Sequence, residues 1–162
     1  MNQSEILRAG IFHTPKNPFR EADAFVAFED GGLAIENGRI LQCAEYGAVR
    51  TAFPDFPVRD LRGQFILPGF IDTHVHFPQM RILGGLGFTL LEWLERLALP
   101  EEARLADVKY AATIAREFVA ALAAHGTTTA LVFGSHFAPA IAALFEAAAE
   151  RGLRITSGLV MS

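Results

Sequence analysis

The sequence predicts an α/β chain: a β-rich piece over residues 1–64, then the first β/α units of a larger barrel over residues 65–162, cut after the third strand. Three observations carry that expectation. Short apolar runs split by turn residues fill the first third, helical three-to-four spacing fills the last, and between them an apolar run ends on the pair His74-x-His76.

From Ile6 to about Leu61, "AFVAFED" and "LAIE" are separated by Gly31-Gly32, and "LAIE" and "RILQCAEY" by Asn37-Gly38. Asn-Gly between such runs predicts a two-residue hairpin, since both central residues take φ > 0. An antiparallel meander is expected. "TAFPDFPVRD" holds Pro54 and Pro57 and reads as an irregular connection, which places a boundary over Leu61–Gln64. The run Phe65–Ile71 then forms the strand that leads into the histidines.

Leu105, Val108, Ala112, Ala115, Phe118, Val119 and Leu122 predict a long helix, opened by the acidic turn Pro100-Glu101-Glu102 and closed by Gly126. Thr127–Phe133, "TTTALVF", predicts a strand. Pro139 opens a second helix through Ile141, Leu144, Phe145 and Ala148, and Gly152 closes it. "LRITSGLVM" supplies a third strand. Alternation of this kind predicts parallel βαβ units with strands buried on both faces. Two readings follow, a small three-layer domain or a cut barrel. An apolar third strand left uncovered at the edge favours the cut.

The 162 residues, 51% of them apolar, suffice for one domain with a sizeable core. The net charge of −4, with no block of Lys or Arg, disfavours nucleic-acid binding. The single Cys43 excludes an intrachain disulfide framework, and "MNQSEILRAG" lacks the pattern of a secretory leader, so a cytoplasmic protein is the default expectation. No segment approaches the roughly 20 uncharged apolar residues of a membrane-spanning helix.

Along a strand, side chains alternate faces, so Asp72, His74 and His76 are expected to point one way and Thr73 and Val75 the other. Two imidazoles at this spacing lie roughly 6 to 7 Å apart at Cα and can converge on one metal ion at about 2.0 to 2.1 Å from each nitrogen. On spacing alone, a satisfied or solvated histidine pair is the commoner arrangement. Position at the C-terminal end of a strand that opens a βα series turns the balance towards metal. Two ligands are still fewer than the three protein ligands a catalytic zinc normally uses. His125 reads as a cation at a helix C-terminus, His13 as a surface residue of the meander, and His136 as a loop residue on the same rim as the pair.

The connection Phe77–Pro100 is long for a βα loop and reads as a pocket wall. Gln79 in it carries a carbonyl acceptor and amide donors, and on its own reads as a solvated loop residue. Leu90, Leu91, Trp93, Leu94 and Leu97 show helical spacing, more often core than ligand contact. Gly84-Gly85-x-Gly87 lacks the spacing and the Lys-Ser/Thr ending of a phosphate loop and reads as a flexible loop.

Together these residues carry a resemblance. "LPGFIDTHVHFPQ", Leu67–Gln79, resembles the first-strand motif of the amidohydrolase superfamily, and within it of the guanine deaminases, where Gln follows the His-x-His pair after two residues. "LLEWLERLALPEEAR", Leu90–Arg104, is similar to a guanine deaminase segment that runs L-L-E-W-L and then P-x-E; "HGTTTALVFGSH" resembles that family's second strand. The match covers about Phe65 to His136. Leu97-Ala98-Leu99 depart from it, standing where the family has a Tyr-Thr-Phe run.

The resemblance implies part of a small β-sandwich domain, then the start of a (β/α)₈ TIM-type barrel, in a zinc hydrolase that converts guanine and water to xanthine and ammonia. It implies His74 and His76 as metal ligands, with one zinc, or alternatively iron, per subunit. His76, Phe77, Pro78, Gln79 and Trp93 become the expected substrate contacts. It places a third His, an Asp and a proton-shuttling Glu beyond Ser162, so no catalytic residue is expected within this chain and the chain alone is expected to be inactive. A homodimer, no membrane and no nucleic acid complete the expectation. The alternatives are another deaminase or chlorohydrolase of the superfamily, or a non-catalytic metal-binding fragment.

Overall fold

The structure, a computed structural model, describes residues 4–161 and divides into two compact units, one running to Pro68 and one starting at Gly69. In the first unit, strands β1 (Ser4–His13), β2 (Val26–Glu36), β3 (Arg39–Glu45) and β4 (Val58–Ile66) form one sheet in the order β3-β2-β1-β4. The Asn37-Gly38 hairpin forms as expected, with φ of 50° and 75°. Ile6, Ala34 and Val49 make the core of this unit.

Three features depart from the sequence reading. Gly31-Gly32 is no turn: β2 runs through both glycines because a Cβ at Gly31 would lie 2.7 Å from Ile11 Cδ1, and one at Gly32 2.9 Å from Val49 Cβ. Close packing, and not chain reversal, calls for them. The stretch expected to be irregular holds the end of helix α1 (Tyr46–Ala52) and the start of β4. β4 runs parallel to β1, so the sheet is not a pure meander, and Phe65 and Ile66 pair with Gly10 and Ile11 instead of leading into the histidines.

In the second unit, β5 (Phe70–His76), β6 (Thr127–Phe133) and β7 (Arg154–Ser157) form a parallel sheet in sequence order, with α4 (Val108–Ala124) and α5 (Ala138–Arg151) as the crossovers. The βαβ architecture is the expected one. Its core joins Ile114, Phe118, Val119 and Leu122 of α4 to Leu144 of α5 and to Ala130 and Val132 of β6. The helices cover one sheet face only. Leu131 and Phe133, on the other, are 47% and 46% exposed, against the expectation of burial on both.

Between β5 and α4 the chain is helical rather than a loose loop. A 3₁₀ segment, Phe77–Ile82, precedes α2 (Leu90–Trp93), a π segment (Leu94–Ala98), α3 (Leu99–Ala103) and a second 3₁₀ turn (Arg104–Ala106). α2 starts at a capping box, where the Glu92 carboxylate accepts from the Thr89 amide at 3.0 Å and from its hydroxyl at 2.9 Å. The acidic turn at Pro100 opens α3 and not the long helix. α4 begins instead at Asp107, whose carboxylate accepts from the Lys109 and Tyr110 amides at 2.9 and 3.4 Å.

Candidate active site

The site grows from the end of β5. Gly69 brings the strand in: a Cβ there would lie 2.1 Å from Thr128 Oγ1, so only glycine passes this close to the start of β6. Asp72 pairs with Ala130, yet Val75 pairs with Val132, so β5 carries one residue more than β6 between these rungs. That bulge is closed by the Asp72 carboxylate, which accepts from the His74 amide at 2.9 Å.

Strict alternation therefore fails. Asp72 turns with Val75 and His76 into a groove of about 250 Å³ against α4, while Thr73 lines the opposite cavity with Leu131 and Phe133. The histidines stay together nonetheless. Their ring centroids are 5.4 Å apart, and both rest on Phe133: His76 stacks on it at 4.5 Å and 7°, His74 at 4.7 Å and 46°. One phenyl ring thus contacts both imidazoles and lies parallel to that of His76. Partial burial lowers the pKa of His76, the neighbouring His74 lowers it further, and the Glu102 carboxylate opposes both. The balance favours the neutral imidazole, the form that ligates metals.

The donor set suits half of a metal centre. Two imidazoles on one bulged strand end offer two nitrogen donors, and among the described residues no cluster of three His, Cys, Asp or Glu completes a ligand set. His125 caps α4, its Nδ1 2.8 Å from the Ala121 carbonyl. His13 packs against Phe28 in the first unit, and His136 is exposed in the connection after β6.

The expected substrate contacts separate into groups. Phe77 and Pro78 are buried, Phe77 edge-on to Phe118 at 5.9 Å, so each can offer a ligand its backbone only. Gln79, half-buried in the same 3₁₀ segment, donates from Nε2 to Glu102 Oε1 at 3.0 Å. Trp93 is half-buried beside Gly85, where a Cβ would lie 3.5 Å from the indole nitrogen. Next to Glu102, the buried Glu101 accepts from the Tyr110 hydroxyl and from Arg104 at 2.9 Å, and the Arg104 guanidinium lies over the Tyr110 ring at 3.9 Å. α3 is held at its base.

Two participants escaped the sequence reading. Phe133 had as its only signal its place as the last residue of the second strand. Glu102 is the Glu of the P-x-E motif, and nothing in its spacing points to Gln79.

A bulged β-strand ending in paired imidazoles at the C-terminal rim of a parallel sheet is an amidohydrolase arrangement. The chain belongs to the amidohydrolase family, which matches residues 65–162. A probable guanine deaminase of Deinococcus radiodurans is 57% identical over 98% of this chain and 37% of its own length. Among solved structures, guanine deaminase of E. coli superposes with a TM-score of 0.85 at 37% identity, covering 98% of this chain and 37% of that one. The guanine deaminase of C. acetobutylicum, solved with guanine bound in its active site, gives 0.80 at 25% identity, covering 96% and 36%. The chain thus spans little more than a third of the length of each of these three relatives.

Proposed function

We propose that the whole protein is a guanine deaminase, hydrolysing guanine to xanthine and ammonia in the cytoplasm, as a homodimer with one zinc per subunit. The observation that carries this is the His74/His76 pair resting on Phe133 at the tip of β5, with Gln79 in the turn that follows. The identity to guanine deaminases across both units supports the substrate.

His74 and His76 would hold the metal, which when bound supplies an activated water for hydrolysis. The chain's own residues do the rest of what this part can do. Phe133 packs against both rings and limits their turning, which lowers the reorganisation that metal binding would require. Gln79 offers an amide to the purine edge, and Phe77 and Pro78 anchor the segment that carries it. The proton shuttle and the remaining ligands are read as lying outside these 162 residues.

Purified full-length gene product should release xanthine and ammonia from guanine. H74A and H76A should each lose bound zinc and on the order of a thousandfold in kcat/KM, as several kcal/mol of transition-state stabilisation leave with the metal. Residues 1–162 alone should be inert. Failure of the full-length protein to form xanthine, with adenine, cytosine or hydantoin hydrolysed instead, overturns the reading.

A further inference from the structure

We propose that Glu102 is a positioning residue for Gln79: its carboxylate fixes which end of the Gln79 amide is presented to a purine. The inference rests on reading Gln79 as a substrate contact. A free glutamine amide turns over easily, because its oxygen and nitrogen ends have almost the same shape. Facing a carboxylate the two ends differ sharply. A carboxylate oxygen accepts, so Nε2 is the end of the amide that meets Glu102, as it does at 3.0 Å. The flipped amide would set Oε1 against a carboxylate oxygen at the same distance, acceptor to acceptor, with a half-buried site to strengthen the repulsion.

The partner is itself held. Glu102 lies on α3, whose preceding residue Glu101 is buried and bound to both Tyr110 and Arg104, tying the segment to α4. The other partner is equally fixed, since Gln79 follows directly on the buried Phe77 and Pro78. With one Nε2 hydrogen taken by Glu102, the amide keeps Oε1 and its second N–H, an acceptor and a donor on neighbouring atoms. That is the complement of a purine edge with adjacent donor and acceptor, and its polarity is set before the ligand arrives.

The test is a double-mutant cycle in the full-length protein with guanine as substrate. E102Q keeps the shape but can donate as well as accept, so both orientations of Gln79 become acceptable to it. KM should rise about tenfold with kcat within about twofold, the size of a weakened charge-assisted hydrogen bond that acts on binding. In a Q79A background the same E102Q change should have no further effect on KM. E102D, which keeps the carboxylate, should recover part of the affinity and serves in the cycle if E102Q fails to fold. If E102Q multiplies KM equally with and without Gln79, Glu102 acts on the fold and the inference is wrong while the deaminase stands. If wild-type protein forms no xanthine, the deaminase reading fails and this inference falls with it.

Discussion

At Gly69, two of the three atoms that a Cβ would meet are Thr128 Oγ1 at 2.1 Å and Cγ2 at 2.2 Å, and the third is Thr128 Cβ at 2.6 Å. G69A should therefore destabilise the second unit by about 1–3 kcal/mol, the range for forced overpacking, seen as a lower urea midpoint at unchanged slope. Adding T128A should restore part of the loss, and an unchanged G69A midpoint would refute the close approach. No turn rule reveals this glycine's role, because its neighbour is contributed by another strand. The histidine pair was legible for the opposite reason: its chemistry and its strand are local. Phe133 and Glu102 were not, since a ring stack and an amide contact across many residues leave no periodicity behind. Asp72 misled, because an Asx turn and a bulge at Thr73-His74 break the alternation that the letters alone imply.

Among the elements, those with chemical punctuation at both ends were read best. α5 starts with Pro139 in its first turn and stops at Gly152, which takes φ of 74°. α4 was found by its apolar stripe but started too early, because Pro100-Glu101-Glu102 is also a good opening and belongs to α3. The true start is Asp107, and D107A should lower stability by about 1 kcal/mol in thermal or urea unfolding; no change would mean that the cap is dispensable. α1 and β4 were missed because Pro54 and Pro57 dominate their stretch, although both lie between the two elements. Glu92, a tempting acid in the Leu-Glu-Trp motif, is committed to capping α2.

For the molecule as a whole, the composition was a sound guide to class and a poor one to what is covered. Among the described residues no helix is long and apolar enough to cross a membrane. Yet Phe70 and Ile71 of β5 are 59% and 69% exposed, and Leu90 and Leu91 of α2 are 71% and 72% exposed. Apolar surface concentrated on a sheet and a helix marks an interface or an aggregation site. Residues 1–162 by themselves should self-associate in light scattering at micromolar concentration, whereas a monodisperse monomer would show these faces to be tolerated in water.

The π segment Leu94–Ala98 gives the length of the chain a meaning that its composition lacks. A π turn holds a residue beyond the α-helical count, and each residue in a helix amounts to about 100° of rotation. Deleting one letter there would remove the bulge and let the turn close as α, with the residues that follow, Glu102 among them, kept near their present facing. Among related sequences, then, a gap of one in this stretch shortens the segment without turning Glu102 from Gln79, whereas a gap of one in regular helix turns every later side chain by about 100°.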